Sequence, residues 1–97
     1  MKRILLLSDI HANKVALKSV LEDSGDVDEI FCTGDIIDYN SWQLETIEMV
    51  KSHNIQSVIG NHDRDSALGK PIGYNVYAEI SCLWTNSQLS LNERRYL

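Results

Sequence analysis

The sequence predicts an α/β fold: a parallel βαβαβ sheet followed by further helices. Three observations carry that prediction. Short apolar runs recur at Ile4–Leu7, Glu29–Cys32 and Gln56–Ile59. Apolar residues at helical spacing fill the stretches between them. A cluster of glycine or polar residues follows each run. Strands alternating with helices imply right-handed crossovers, which lay the strands parallel.

Ile4–Leu7 is a continuous apolar run, as expected of a strand buried on both faces. Residues Asn13 to Glu22 follow a helical pattern, with Leu17, Val20 and Leu21 on one face. Asp23-Ser24-Gly25-Asp26 is a turn cluster. The second strand, Glu29–Cys32, ends at Thr33-Gly34. Asn40 with Gln43 has the spacing of a capping box opening a second helix. Leu44, Ile47 and Val50 line one side of that helix, and His53 near its end suits the helix dipole. The third strand, Gln56–Ile59, runs into Gly60-Asn61. A loop containing Gly69, Pro71 and Gly73 comes next. A third helix is expected from Asn75, with Val76, Ile80, Leu83 and Trp84 as its apolar face. Ser90 with Glu93 is the capping-box signature of a fourth.

Ninety-seven residues predict one domain, residues 1–97, with a modest core. The apolar fraction of 43% and charged fraction of 24% are those of a soluble globular protein. A net charge of −5 argues against a nucleic-acid-binding surface. It leaves a phosphorylated substrate open, because bound cations reverse the local charge of an acidic site. Cys32 and Cys82 have no metal or redox spacing and read as buried, reduced thiols. The four-residue apolar run after Met1-Lys2-Arg3 is too short for a secretory signal. No stretch approaches the ~20 apolar residues of a membrane span. A cytoplasmic protein is expected.

Chemistry-bearing residues collect just after each strand. The sets are Asp9 and His11, then Gly34, Asp35 and Asp38, then Gly60, Asn61, His62 and Asp63. In an open parallel sheet these loops share one edge, where ligands bind. Carboxylate, amide and imidazole donors suit zinc, iron or manganese better than calcium. Asp9 and His11 are two apart, so on an extended segment they project to the same side. Gly34 and Gly60 each precede a candidate ligand and allow close backbone approach. Singly, each residue has an ordinary use as a cap, turn residue or surface histidine. Those uses do not explain three clusters, each at a strand end.

The pattern Asp9-x-His11, Gly34-Asp35-x-x-Asp38, Gly60-Asn61-His62-Asp63 resembles the signature of the calcineurin-like metallophosphoesterases. Twenty-two residues separate His11 from Gly34, and twenty-one separate Asp38 from Gly60, as in that family's βαβαβ unit. The resemblance is firm over residues 3 to 63 and extends to Trp84-Thr85 and Leu89-Ser90. It implies the front half of an αββα sandwich. It also implies two divalent ions (manganese, iron, zinc or nickel) that bind phosphoryl oxygens and activate a bridging water. Asp9 and His11 would ligate the first ion, Asn61 the second, and Asp35 would bridge them. His62 would protonate the leaving oxygen and Asp63 would orient it. Asp38 would support the loop or take part in catalysis, and Arg64 would contact substrate phosphate or sit solvated.

Departures narrow the reading. Protein phosphatases of the superfamily carry Arg-Gly where Tyr39-Asn40 stand, and Arg where Ile59 stands. This favours the small phosphodiesterase and phosphatase group, acting on phosphorylated small molecules or nucleotides. The family's later histidine motifs have no counterpart, since no histidine follows His62. The chain thus reads as a truncated domain, weak or inactive alone. Its bare sheet face predicts a homo-oligomer or a covering partner. A non-enzymatic metal-binding or interaction module is the alternative. A receiver-like domain ranks last, because it leaves Gly60-Asn61-His62-Asp63 unexplained.

Overall fold

Strand β1 (Ile4–Leu7) pairs in parallel with β2 (Glu29–Cys32), and β2 with β3 (Gln56–Ser57). The sheet order is β1-β2-β3. The computed structural model describes residues 1–97. Leu6, Phe31 and Gln56 are in register, as are Leu7, Cys32 and Ser57. Residues in register share a face of the sheet.

Helix α1 (Lys14–Ser24) forms the first crossover and α2 (Gln43–Ser52) the second. In a sheet that grows steadily in one direction, right-handed crossovers place both helices on the same face. The core lies there. Leu17, Cys32, Ile36, Ile37, Ile47, Val50, Ile55 and Leu89 are buried together, with Leu7 and Ile30 packed against them. The opposite face is open. Ile4 is 54% exposed and Leu6 67%, so β1 is covered on one face, not on the expected two. Val58 and Ile59 are exposed as well.

Asn13 caps α1, its side chain accepting the Ala16 amide at 3.1 Å. The capping box expected at Asn40 is absent. Helix α2 starts later, with Trp42 at the cap position. Asn40 instead donates its side-chain amide to the His11 carbonyl, and Gln43 accepts the Asp38 amide. The site has taken both residues. His53 closes α2, its Nδ1 hydrogen-bonded to the Met49 carbonyl at 2.9 Å. Strand β3 is two residues shorter than expected, though the Val58 amide still donates to the Cys32 carbonyl.

Helix α3 (Asn61–Leu68), which the sequence pattern does not predict, follows. Its signals were Gly60 at the cap, Asp63 at the third position and Gly69 in a left-handed stop at φ 68°. Next comes α4 (Val76–Gln88), capped by Asn75 as expected. Its buried side is the reverse of the one predicted. Ala78, Cys82 and Thr85 are buried, while Val76, Ile80, Leu83 and Trp84 are exposed. The reason is its neighbour. Helix α4 packs on α3, whose buried residues are the polar Asp63, Asp65 and Ser66. Small and hydroxyl-bearing side chains fit that surface. The short α5 (Leu91–Tyr96) follows Ser90, which makes no side-chain cap. Cys32 and Cys82 are free and buried. No helix is long and apolar enough to cross a membrane.

Candidate metal centre

The loops after β1 and β2 are zipped together by their backbones. Asp9, His11 and Ala12 donate their amides to the carbonyls of Gly34, Asp35 and Ile36 at 3.2, 3.0 and 2.7 Å. Both loops hold a run of left-handed backbone: Asp9 (φ 54°), His11 (46°), Ala12 (54°), Asp35 (59°), Asp38 (79°) and Tyr39 (71°). Asp9 and His11 therefore do not sit on an extended segment. The turn brings the Asp9 carboxylate within 3.4 Å of His11 Nε2.

Residues with side chains in such conformations cost about 1–3 kcal/mol each and persist only where the surroundings enforce them. Asp63 does much of the enforcing. It is 1% exposed. Its Oδ1 accepts the amides of Ile36 and Ile37, and its Oδ2 those of Asp35 and Gly60, all within 2.8–3.1 Å. Burial pushes this carboxyl up, and the four amides pull it back. The expected role of Asp63, orienting His62, is thus corrected. Both its oxygens are occupied by backbone.

The carboxylate behind His62 is Asp38. Its Oδ2 lies 2.9 Å from His62 Nδ1, and Asp38 is completely buried. Its Oδ1 accepts the Tyr39 amide and the hydroxyls of Ser81 and Thr85. The Gln43 side chain holds its backbone amide. An imidazole that donates Nδ1–H to a fixed carboxylate keeps one tautomer and orientation, with Nε2 free.

Two glycines bring the second and third loops into contact. A Cβ on Gly60 would lie 2.1 Å from Asp35 Oδ1, and one on Gly34 2.6 Å from the Gly60 nitrogen. Neither position admits a side chain. Through this contact the His62 amide donates to Asp35 Oδ1 at 3.0 Å.

His11, Asp35 and His62 each direct a donor atom to one place, all within 4.8 Å of one another. Carboxylate oxygen and imidazole nitrogen are ligand types that zinc, iron and manganese take, so His11 and Asp35 would hold an ion there, with His62 beside it. The donor chemistry also fits. His11 donates Nδ1–H to the Ile37 carbonyl at 2.9 Å, leaving Nε2 as the ligand atom. Asp9 stands at the open side, 63% exposed at its side chain. The Ser8 hydroxyl, opposed by burial and then aided by His11, holds its carboxyl below the ordinary range. Asn61 opens α3 at the rim, its side-chain nitrogen 3.4 Å from the Tyr74 hydroxyl. The predicted residues Asp9, His11, Asp35 and His62 thus meet directly.

A family model for calcineurin-like phosphoesterases matches residues 2–95. The chain belongs to that family. A crystal structure of a metallophosphoesterase from Sphaerobacter thermophilus superposes with a TM-score of 0.81 at 40% identity, over 98% of this chain and 40% of that one. An uncharacterised protein of Methanocaldococcus jannaschii is 38% identical over 97% of this chain and 40% of its own length. The chain spans about 40% of the length of each relative. Divalent metals are the family's cofactors, and the donor set above is where this chain would hold them.

Sequence reasoning missed several residues of the candidate site. Ser81 and Thr85 sit one helical turn apart on α4 and steady Asp38. Tyr39 and Tyr74 flank His62, with ring centroids 4.8 and 5.3 Å from its own. Asp65 accepts the Tyr74 hydroxyl at 2.9 Å and Arg64 Nε at 2.8 Å. Arg64, read as a phosphate contact or a solvated residue, is turned toward Asp65 and stays 58% exposed at its side chain. Only the Ser81–Thr85 pair had a sequence signal, a hydroxyl stripe opposite the apolar one on α4.

Proposed function

We propose that this chain carries the metal-holding half of a two-metal phosphoester hydrolase. Its substrates would be phosphomonoesters or phosphodiesters of small molecules or nucleotides. The observation that supports it best is the convergence of His11, Asp35 and His62, from two loops and the first turn of α3, within 4.8 Å. Asp9 and His11 would hold one ion, Asn61 the other, and Asp35 both. When bound, the ions supply Lewis acidity toward phosphoryl oxygens and water.

The chain's own residues do the rest. In its imidazolium form His62 would carry a hydrogen on Nε2 besides the one it donates to Asp38, and would hand it to the leaving oxygen, returning to the neutral Nδ1–H ring. Asp38 fixes the ring at Nδ1 for that transfer. Asp63 holds the loop bearing Asp35, so it acts on ligand placement and not on the proton. The open sheet face, with Ile4, Leu6 and Val58 exposed, supports a covering surface from a second copy or a partner. The same exposure favours the alternative of a metal-binding interaction module.

The test is manganese-dependent hydrolysis of an aryl phosphomonoester and a bis-aryl phosphodiester, with His62→Ala as control. Turnover that His62→Ala removes supports the hydrolase. A folded, manganese-loaded chain without turnover supports the module. Calorimetric titration tests the ligand roles: Asp35→Asn should abolish more manganese binding than Asn61→Ala. Equal losses would sink the bridging role.

A further inference from the structure

A side-chain amide can serve a metal only through its oxygen, and its two ends are alike in shape. Something must therefore set which end of Asn61 faces the site. The Tyr74 hydroxyl has one hydrogen, and Asp65 Oδ2 takes it at 2.9 Å. Asp65 is 8% exposed and ionised, and its other oxygen faces Arg64 Nε. A carboxylate only accepts, so the tyrosine must donate to it. That leaves the phenolic oxygen with lone pairs alone. Asn61 Nδ2 approaches it at 3.4 Å, and only the NH₂ end can bond there.

We infer that Tyr74 is a positioning residue: through the relay Arg64–Asp65–Tyr74 it holds the Asn61 amide with nitrogen outward and oxygen free for the metal. The inference rests on the reading of Asn61 as a ligand. The tyrosine is also placed to last. It precedes the Asn75 cap of α4, which fixes the end of the loop.

The inference needs no turnover to test. Manganese would be titrated into the wild type, Tyr74→Phe, Asn61→Ala and the double variant, with thermal melts on each. Tyr74→Phe keeps the ring and removes both bonds. It should weaken the site that Asn61→Ala weakens, by about tenfold, as outer partners of metal ligands do. In the Asn61→Ala background the same change should add nothing, whereas a merely structural tyrosine would weaken both backgrounds alike. Weakening in Asn61→Ala but not in Tyr74→Phe would overturn the inference and leave the ligand reading standing. No weakening in Asn61→Ala would overturn both. Proton NMR of the metal-free wild type gives a check that needs no variant. A cross-peak between an Asn61 side-chain NH₂ proton and the Tyr74 ring is expected, and its absence would also overturn the relay.

Discussion

The wholly buried Asp38 carboxylate and the partly buried His62 ring form a pair, Oδ2 to Nδ1 at 2.9 Å, although one follows β2 and the other opens α3. Each oxygen of Asp38 has its own task. One faces the imidazole, and the other collects a backbone amide and two hydroxyls from α4. Asp38→Asn would present an NH₂ where His62 Nδ1–H or the hydroxyls now donate. Hydrolysis should fall about 100-fold, the scale of general acid catalysis. Manganese affinity should change far less. A matched loss of both would instead make Asp38 a support for the loop alone.

Asp63 predicts the opposite split. Its four amide donors need an acceptor on both oxygens. Asparagine would turn an NH₂ toward two of them. Asp63→Asn should cost about 2–4 kcal/mol of stability, the range for unpaired buried polar groups and broken networks. Chemical denaturation reads this directly. A loss of activity with unchanged stability would restore the orienting role.

Gly60→Ala should be among the most damaging small substitutions in the chain. The added methyl would meet Asp35 Oδ1 and its backbone nitrogen at 2.1 and 2.3 Å. We expect about 3 kcal/mol or more, the upper end of overpacking. Gly25→Ala is the comparison: nothing lies within 4 Å of that position, and only its φ of 65° resists. With ψ at −147°, that backbone costs an alanine about 1–3 kcal/mol, with no steric term added. Equal melting temperatures for the two variants would contradict the packing argument.

Asp65 makes a prediction about acid. Its carboxyl is held below the ordinary value of 3.8, first by the Arg64 hydrogen bond and also by Tyr74. A carboxylate depressed on folding adds stability above its unfolded pKa and loses it as pH falls through the folded one. Asp65→Asn should therefore flatten the decline in stability below about pH 4. At neutral pH it should cost about 1–2 kcal/mol of hydrogen bonding. Melts across the acid range check both, and parallel curves would remove Asp65 from the acid transition.

Much of the architecture was legible because strands and their following clusters repeat. Ile4–Leu7 and Glu29–Cys32 are strands to the residue. The candidate donors were legible as types at strand ends, and His11, Asp35 and His62 lie within 4.8 Å of one another. Three things were not legible. The left-handed turns at Asp9, His11 and Asp35 are imposed by the backbone zip and by Asp63, which pairs with residues more than twenty positions away. Helix α3 hid because Gly60-Asn61-His62-Asp63 reads as a site before it reads as a helix start. The face of α4 was misassigned because periodicity finds an apolar stripe but not what lies opposite it. Here the polar flank of α3 lay opposite, so the hydroxyl side turned inward.

One carboxylate, Asp63, closes amides from two of the three site loops. Those loops therefore cannot loosen one at a time without stranding a buried charge. In hydrogen–deuterium exchange the amides of Asp35, Ile36, Ile37 and Gly60 should open as a single latch at a common rate, so that motion at the centre is all-or-none rather than graded.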